Sequence, residues 1–553
     1  MRPSYDPKAF PKTLSRTGLY ANPQANTLAP GVTPFLINTE AWSDGARAER
    51  FFAIPGNGKI LDIEGRKQLG GNIDWLPFQF HFPKDSVLGK TLTLKTEAGD
   101  KRVETQILHY DGRYWQAYTF QWRDDQSDAD LVAADGNEKD FVVPDGRVPG
   151  GKRRQTWNFA SRVQCLTCHT VWAEVSLGFS SMNLNRNGPD GRNQLVALCE
   201  QGFMDRVKND GKPNPPYDAE MVKKLDRLTP AGEEKASLED RARSYLHVNC
   251  SHCHRNGGGG SLSFELTKWA DLTKGILDAR PTRGSFGIEN ASVISSGHPE
   301  RSTLLYRMAK FGKDRMPHIG AELPDPQALE LMKQWIASKG KDPVSTEKLP
   351  AQSSERGILE AVKTASQAKL EPRQVEQIAA LPAGAYRELF EGYLPQTGER
   401  KLGPNPRPRS ILGLSGNPER GRELFMNERN QCSKCHQMEG KGIAVGPDLS
   451  KIAKDQTREM LLESIIDPSR RIDAKYQSYV LKTEDGRTLT GVIMKKDAQG
   501  VTIRDAEGKD TTIVNDNITS LKPSPMSLMP TGLVSDMTPQ QAADLLAYLS
   551  GKK

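Results

Sequence analysis

The sequence predicts an α+β chain of several domains: an N-terminal antiparallel β domain, mainly α-helical domains after it, and a last helical domain with a β-meander inserted. Three observations predict this. Residues 1–155 are rich in Thr, Val, Ile, Tyr and Trp between turn signals. Residues 156–344 and 416–553 carry three Cys-x-x-Cys-His pentapeptides, with helical periodicity around the second and third. The second of these regions is interrupted at about 476–515 by alternating strands, and a helical connector at 345–415 separates the two.

In the first domain, Lys90 to Thr96, Arg102 to Tyr110 and Tyr114 to Trp122 read as a meander, turned at Ala98-Gly-Asp100 and Asp111-Gly112. Val148-Pro-Gly-Gly151 marks a boundary. The first pentapeptide follows residues 157–163, which lack a helical pattern. The second has a fuller frame. Ser237-Leu-Glu-Asp240 caps a helix running through Tyr245 and Leu246 into Cys250, and a glycine loop follows at Gly257 to Gly260. Arg315-Met316-Pro317 comes next, and Asp325-Pro326 opens a closing helix with Leu329, Met332, Trp335 and Ile336. The connector has helical spacing at Arg356 to Lys369 and Pro372 to Tyr393, and ends in a Pro-rich run after Gly403. The last domain repeats the plan. Asn417-Pro418 opens a helix in which Gly421 and Phe425 allow a close crossing, and Thr538-Pro-Gln-Gln541 opens a closing helix with Leu545, Leu546, Tyr548 and Leu549 on its apolar side. Between them, Tyr476 to Thr483, Thr488 to Lys495, Val501 to Asp505 and Asp510 to Val514 alternate as strands.

The pentapeptides are Cys165-Leu-Thr-Cys168-His169, Cys250-Ser-His-Cys253-His254 and Cys432-Ser-Lys-Cys435-His436. Two cysteines at this spacing add to the two vinyl groups of a haem, and the adjacent histidine meets the iron from the same side. With 7 Cys and 9 His in 553 residues, chance supplies on the order of 0.001 such pentapeptides. Pooled Cys-x-x-Cys pairs also build zinc sites, but zinc gives no reason for a histidine after the second cysteine three times over. Three covalently bound haem c groups are expected, on Cys165 and Cys168, Cys250 and Cys253, and Cys432 and Cys435, with His169, His254 and His436 as iron ligands. Met316 is the sixth-ligand candidate for the second iron and Met529 for the third, with Met526 as the alternative to Met529. The sixth ligand of the first iron stays open among His81, His109, Met182 and none. His247 and His252 lie too near their own attachment site to reach its opposite face. Cys199, outside the pentapeptides in an apolar run, reads as a buried thiol.

The composition is 36% hydrophobic and 26% charged, and no apolar run approaches the ~20 residues of a membrane helix. The formal charge of +7 comes from scattered Lys and Arg, which read as solvated surface or as steering for an acidic redox partner. There is no nucleic-acid module. Haem c is attached outside the cytoplasm, so a periplasmic or otherwise exported protein is expected. The start, Met1-Arg-Pro-Ser-Tyr-Asp-Pro-Lys8, has no apolar signal core. A mature form, a trimmed form, or the back portion of a longer polypeptide would explain it.

Residues Gly421-Arg-Glu-Leu-Phe, Gly446-Pro-Asp-Leu-Ser, Leu461-Leu-Glu-Ser-Ile-Ile-Asp-Pro-Ser, Ser527-Leu-Met-Pro-Thr-Gly-Leu and Ala543-Asp-Leu-Leu-Ala-Tyr-Leu, arranged around the third pentapeptide, resemble the planctomycete-type haem-binding domain. The resemblance covers about the last 135 residues and implies Met529 as ligand. Residues 10–340 are similar to an uncharacterised family of dihaem c-type cytochromes through Trp42-Ser-Asp-Gly-Ala, Tyr118-Thr-Phe-Gln-Trp, Asn185-Arg186, Tyr245-Leu-His-Val-Asn-Cys and Arg315-Met-Pro. Related haem domains accompany quinoprotein sugar dehydrogenases that use pyrroloquinoline quinone, which implies a PQQ-dependent dehydrogenase as redox partner.

The expected function is a trihaem c-type cytochrome that carries electrons in the periplasm from a dehydrogenase to a downstream acceptor. The alternative is a peroxidase- or oxidase-like haem enzyme whose open first haem is fed by the other two. A third reading makes the β domain a docking module for a partner or a glycan.

Overall fold

The computed structural model describes residues 10–64, 80–170, 173–188, 190–208, 210–255, 264–282, 284–312, 314–340, 370–380, 385–394, 401–403, 406, 408–427, 430, 432–469, 472–485, 487–506, 508–524, 527–530 and 532–551. The Gly257–Gly260 loop, the Arg356–Lys369 pattern and Met526 fall outside them. The chain forms two compact units, Met1–Phe311 with Ile319–Pro395, and Gly312–His318 with Gln396–Lys553.

In the first unit, period-two alternation builds a six-stranded antiparallel sheet. Its order is Ala129–Leu131, Trp115–Trp122, Gly99–Tyr110, Val87–Thr96, Arg47–Ala53, Val32–Phe35. The three strands read from the sequence are neighbours at its centre. Phe51, Ile107, Tyr118, Phe120 and Trp122 bury one face, each full burial contributing about 1.5–3 kcal/mol. Val148-Pro-Gly-Gly151 closes a hairpin: Gly151 N–H donates to Val148 O at 3.0 Å, and Asn137–Pro144 pairs with Lys152–Phe159 on either side. The glycines and proline expected to mark a boundary therefore turn the chain inside a β-ribbon.

The β domain shares a core with the residues that follow it. Met204–Lys208 pairs in parallel with Ile60–Glu64, which pairs antiparallel with Phe80–His81. Phe35, Phe52 and Ile60 pack with Leu184, Leu195, Leu198 and Met204. A second tie is polar. Trp42 N–H donates to Asn249 Oδ1 at 2.8 Å, and Trp42 Nε1 donates to Leu323 O at 2.8 Å. The Asp44 carboxylate accepts from the Glu322 and Leu323 N–H groups, each at 2.8 Å.

The leading helix Leu238–Asn249 begins at Ser237, whose hydroxyl accepts from Asp240 N–H at 3.0 Å. The closing helix Pro326–Ala337 begins at Asp325, whose carboxylate accepts from Gln327 and Ala328 N–H at 3.1 Å. The two cross over Leu246, Leu329, Met332 and Trp335, and Trp335 Nε1 donates to Glu239 Oε2 at 2.6 Å.

The second unit repeats this arrangement. Pro418–Met426 is capped by Asn417, and Pro539–Leu549 by a capping box between Thr538 and Gln541. Gly421 lies directly against the closing helix: a Cβ there would stand 2.0 Å from Asp544 O. Beside it, Phe425 meets Tyr548 edge-on at 5.7 Å. The inserted sheet has five antiparallel strands in the order Asp510–Val514, Gly500–Arg504, Thr488–Lys496, Ser478–Thr483, Ile518–Pro523. The fifth, Ile518–Pro523, pairs with the first and returns the chain beside its point of departure. Among the described residues, no helix is long and apolar enough to cross a membrane.

Candidate haem attachment sites

In the third pentapeptide, Cys432–Cys435 forms one helical turn, and His436 N–H donates to Cys432 O at 2.9 Å. The His436 ring Nδ1 lies 2.8 Å from Pro447 O. A carbonyl only accepts, so Nδ1 carries the proton and Nε2 keeps its lone pair for a metal. Burial lowers the His436 pKa, against the opposing effect of the Pro447 bond, which keeps the ring in its ligating neutral form. Gly446 forms a cradle under the imidazole: a Cβ there would stand 2.6 Å from His436 Cε1. The inserted sheet braces this loop, with Arg504 Nη1 donating to Ala444 O at 2.8 Å. Met529 N–H donates to Ser527 Oγ at 3.1 Å, and Ser527 N–H donates to Ser469 Oγ at 3.1 Å. Met529 and Cys432 pack against one apolar core, and burial pushes the Cys432 thiol up to about 11. A Cys432 sulfur against the apolar core, a Cys435 sulfur 3.8 Å from Ala506 O, a fixed neutral imidazole and a glycine cradle fit a covalently held haem c.

The first pentapeptide lies on the helix Arg162–Cys168, three residues after the strand Lys152–Phe159 and capped reciprocally by Ser161 and Gln164. His169 forms the C-cap, its N–H donating to Cys165 O at 3.0 Å. Its Nδ1 hydrogen-bonds to Val175 O, the same tautomer lock as at His436. Burial lowers its pKa to about 4, the Val175 bond working in the other direction and Lys90 and His252 adding to the fall. Lys90, on the strand Val87–Thr96, is itself lowered to about 8, by burial first and then by Arg50; Cys165 acts on it in the opposite sense. Glu174, next to Val175, is raised to about 7 by burial, with Arg255 opposing.

The candidates for the first iron's sixth ligand have other surroundings. His109 is buried in the sheet, its Nε2 3.3 Å from Asp85 Oδ1 and its ring near Phe10. His81 pairs with Leu61 on the short strand Phe80–His81. Met182 lies in the helical turn Ser181–Leu184, its carbonyl accepting from Asn38 Nδ2 and Leu228 N–H. Cys199 packs half-buried against the core shared with the β domain, and burial raises its pKa.

In the second pentapeptide, Cys250 caps the leading helix, its N–H donating to Leu246 O at 2.9 Å. Burial lifts its thiol to about 12. His254 N–H donates to Cys250 O at 2.9 Å, and its ring stacks on Phe264 at 4.9 Å and 12°. His247 accepts from Lys268 N–H through Nδ1 at 3.3 Å, and burial lowers its pKa to about 3. Met316 belongs to the Gly312–His318 segment of the second unit, with its sulfur 3.5 Å from His318 Nδ1. His252 faces the first pentapeptide: its ring nitrogen and the sulfurs of Cys168 and Cys253 lie within 4.8 Å of one another. Lys90, Glu174 and His252 were not legible as neighbours of His169, because the fold and not a local motif brings them there.

A family model described as cytochrome c matches residues 418–497. No curated protein matches the chain. The C-terminal unit thus holds a cytochrome c domain, which implies covalently bound haem c, a haem-based electron-transfer role and a redox partner.

Proposed function

We propose that the chain is a trihaem c-type cytochrome that carries electrons in the periplasm, from a quinoprotein sugar dehydrogenase or a dehydrogenase of similar type to a downstream acceptor. The haems are held by Cys165 and Cys168, Cys250 and Cys253, and Cys432 and Cys435. His169, His254 and His436 bind the irons, with Met316 as sixth ligand of the second and Met529 of the third. Bound haem supplies one-electron redox chemistry, and a methionine sixth ligand raises its potential. The protein's own residues set the rest: Pro447 and Val175 fix the imidazole tautomers, and burial keeps both rings neutral.

One observation carries this reading. The first and third pentapeptides lie on unrelated scaffolds, yet each places its histidine Nδ1 on a backbone carbonyl of the following loop. The lock readies each Nε2 for a metal, and the histidine placed directly after each cysteine pair is what favours haem over zinc. Intact mass before and after proteolysis tests the reading: three covalent haem additions, one on each pentapeptide, are expected, and an unmodified pentapeptide refutes the count.

The enzyme reading keeps one specific support, the commitment of the His109 ring to Asp85 within the sheet. Ferric absorption and EPR spectra with and without cyanide separate the two. Three low-spin haems that ignore cyanide make the protein a pure carrier. A high-spin haem that binds cyanide and disappears in H169A makes the first haem a reaction centre.

A further inference from the structure

Cys168 closes the first pentapeptide and Cys253 the second. Their sulfurs lie within 4.8 Å of each other and of a His252 ring nitrogen. Three donors at that spacing would also suit a metal ion. What decides against a dedicated metal site is that each sulfur belongs to a complete Cys-x-x-Cys-His pentapeptide, whose second cysteine is committed to a haem vinyl group. The convergence therefore describes where two haems meet the protein.

We propose that the first two haems form an edge-to-edge pair, anchored at adjacent thioethers on Cys168 and Cys253 with His252 between them. This rests on the three-haem reading above and adds an arrangement to it. A thioether sulfur stands two bonds from the edge of the macrocycle. Two sulfurs no more than 4.8 Å apart and four bonds of about 1.5 Å bring the two edges within about 11 Å, whatever the tilt of the rings. With haem bound, Cys168 and Cys253 would hold the two groups on adjacent anchors, and the groups would supply one-electron exchange across that gap, one being oxidised as the other is reduced, with no bond made or broken. The electron itself comes from the redox partner. The pair acts as a two-electron store, suited to a donor that releases electrons two at a time.

The fold supports the arrangement from both sides. Cys168 ends a helix launched from the β-ribbon, and Cys253 follows the leading helix whose last residue, Asn249, is held by Trp42 of the β domain. The tie from Trp42 to Asn249 thus fixes one anchor in the frame that carries the other.

The test is EPR during a reductive titration of the full haem-loaded chain, after mass analysis of haem content. In the all-ferric protein, the signals of the first two haems are expected to be broadened by each other and to sharpen when either becomes ferrous. With irons on the order of 15–20 Å apart and an effective dielectric of about 20, the first electron weakens the partner's electron affinity about fivefold. That corresponds to a split of about 40 mV at 59 mV per decade. C432S/C435S, which lacks the third attachment, should keep both effects. Should it fail to fold, M529H keeps the third haem but moves its signal and potential away from the pair. Line shapes and midpoint potentials of the first two haems that ignore each other's oxidation state would overturn the pair and leave the three-haem reading intact. Absence of haem from Cys168 or Cys253, or zinc bound there instead, overturns both.

Discussion

Replacing Gly421 with Ala should loosen the C-terminal unit, although the same change in an exposed helix would stabilise it. Alanine is favoured over glycine in a helix interior by about 1 kcal/mol. At Gly421, however, the new Cβ would stand 2.0 Å from Asp544 O, 2.6 Å from Asp544 C and 2.8 Å from Tyr548 Cβ. The oxygen is backbone in the middle of the closing helix, so it cannot rotate away, and the two helices must separate by about 1 Å to restore ordinary contact. Overpacking of this kind costs about 1–3 kcal/mol, more when backbone has to move. Set against the propensity gain, the net loss is about 2 kcal/mol, or roughly thirtyfold in an opening equilibrium. Native-state hydrogen exchange reads that quantity locally and does not require the whole chain to unfold in one step. Amides of Pro418–Met426 and Pro539–Leu549 should exchange faster in G421A, while those of the N-terminal sheet stay unchanged. Equal or greater protection of the two helices would refute the close-crossing account.

Three further outcomes are expected. D44A removes a carboxylate that accepts from two backbone N–H groups and puts alanine at a φ of 52°; a loss of about 3 kcal/mol in thermal unfolding is expected, against about 1 kcal/mol for D44N, which tolerates that backbone. For Asp544, burial alone would raise the pKa, but the Arg420, Asn417 and Gln540 bonds hold it below its ordinary 3.8. Its stabilisation is therefore present above about pH 4 and lost as pH falls through the depressed value, and an acid titration of C-terminal helix protection should show a step that D544N lacks. G446A pushes a methyl group into His436 Cε1, so the spectrum of the third haem should shift while those of the first two hold.

The parts of the chain governed by local chemistry were legible in the sequence. The caps at Ser237, Asp325, Asn417 and Thr538 fall where their spacing to the following polar or proline residues puts them. The central strands of the first sheet appear between their turns. What was hidden depends on partners distant in sequence. Met204–Lys208 has no strand signature strong enough to announce that it joins Ile60–Glu64, and nothing near Trp42 indicates that Asn249 receives its amide. Ile518–Pro523 was missed because its burial is shallow and it ends in Lys522-Pro523, a composition that reads as loop until the partner strand Ser478–Thr483 is placed. His252 followed the same rule: within its own pentapeptide it is a spacer, and only the fold turns it towards Cys168.

The clasp of Trp42 and Asp44 joins residues 207 and 278 positions apart. Loop-closure cost grows only logarithmically, by about 0.6 kcal/mol per doubling of length, so the distance takes little from its strength. It takes a great deal from its timing, because contacts between remote segments form late. Until the clasp shuts, Asn249 and the pentapeptide behind it are not yet held against the β domain, an interval in which the second pair of thiols stays accessible to an incoming haem. Pulsed hydrogen exchange on refolding chain should accordingly find the Trp42 amide among the last to gain protection; early protection would mean that the clasp forms before the sites it frames. The protein would then close its frame first and fill it afterwards, the reverse of the order its topology favours.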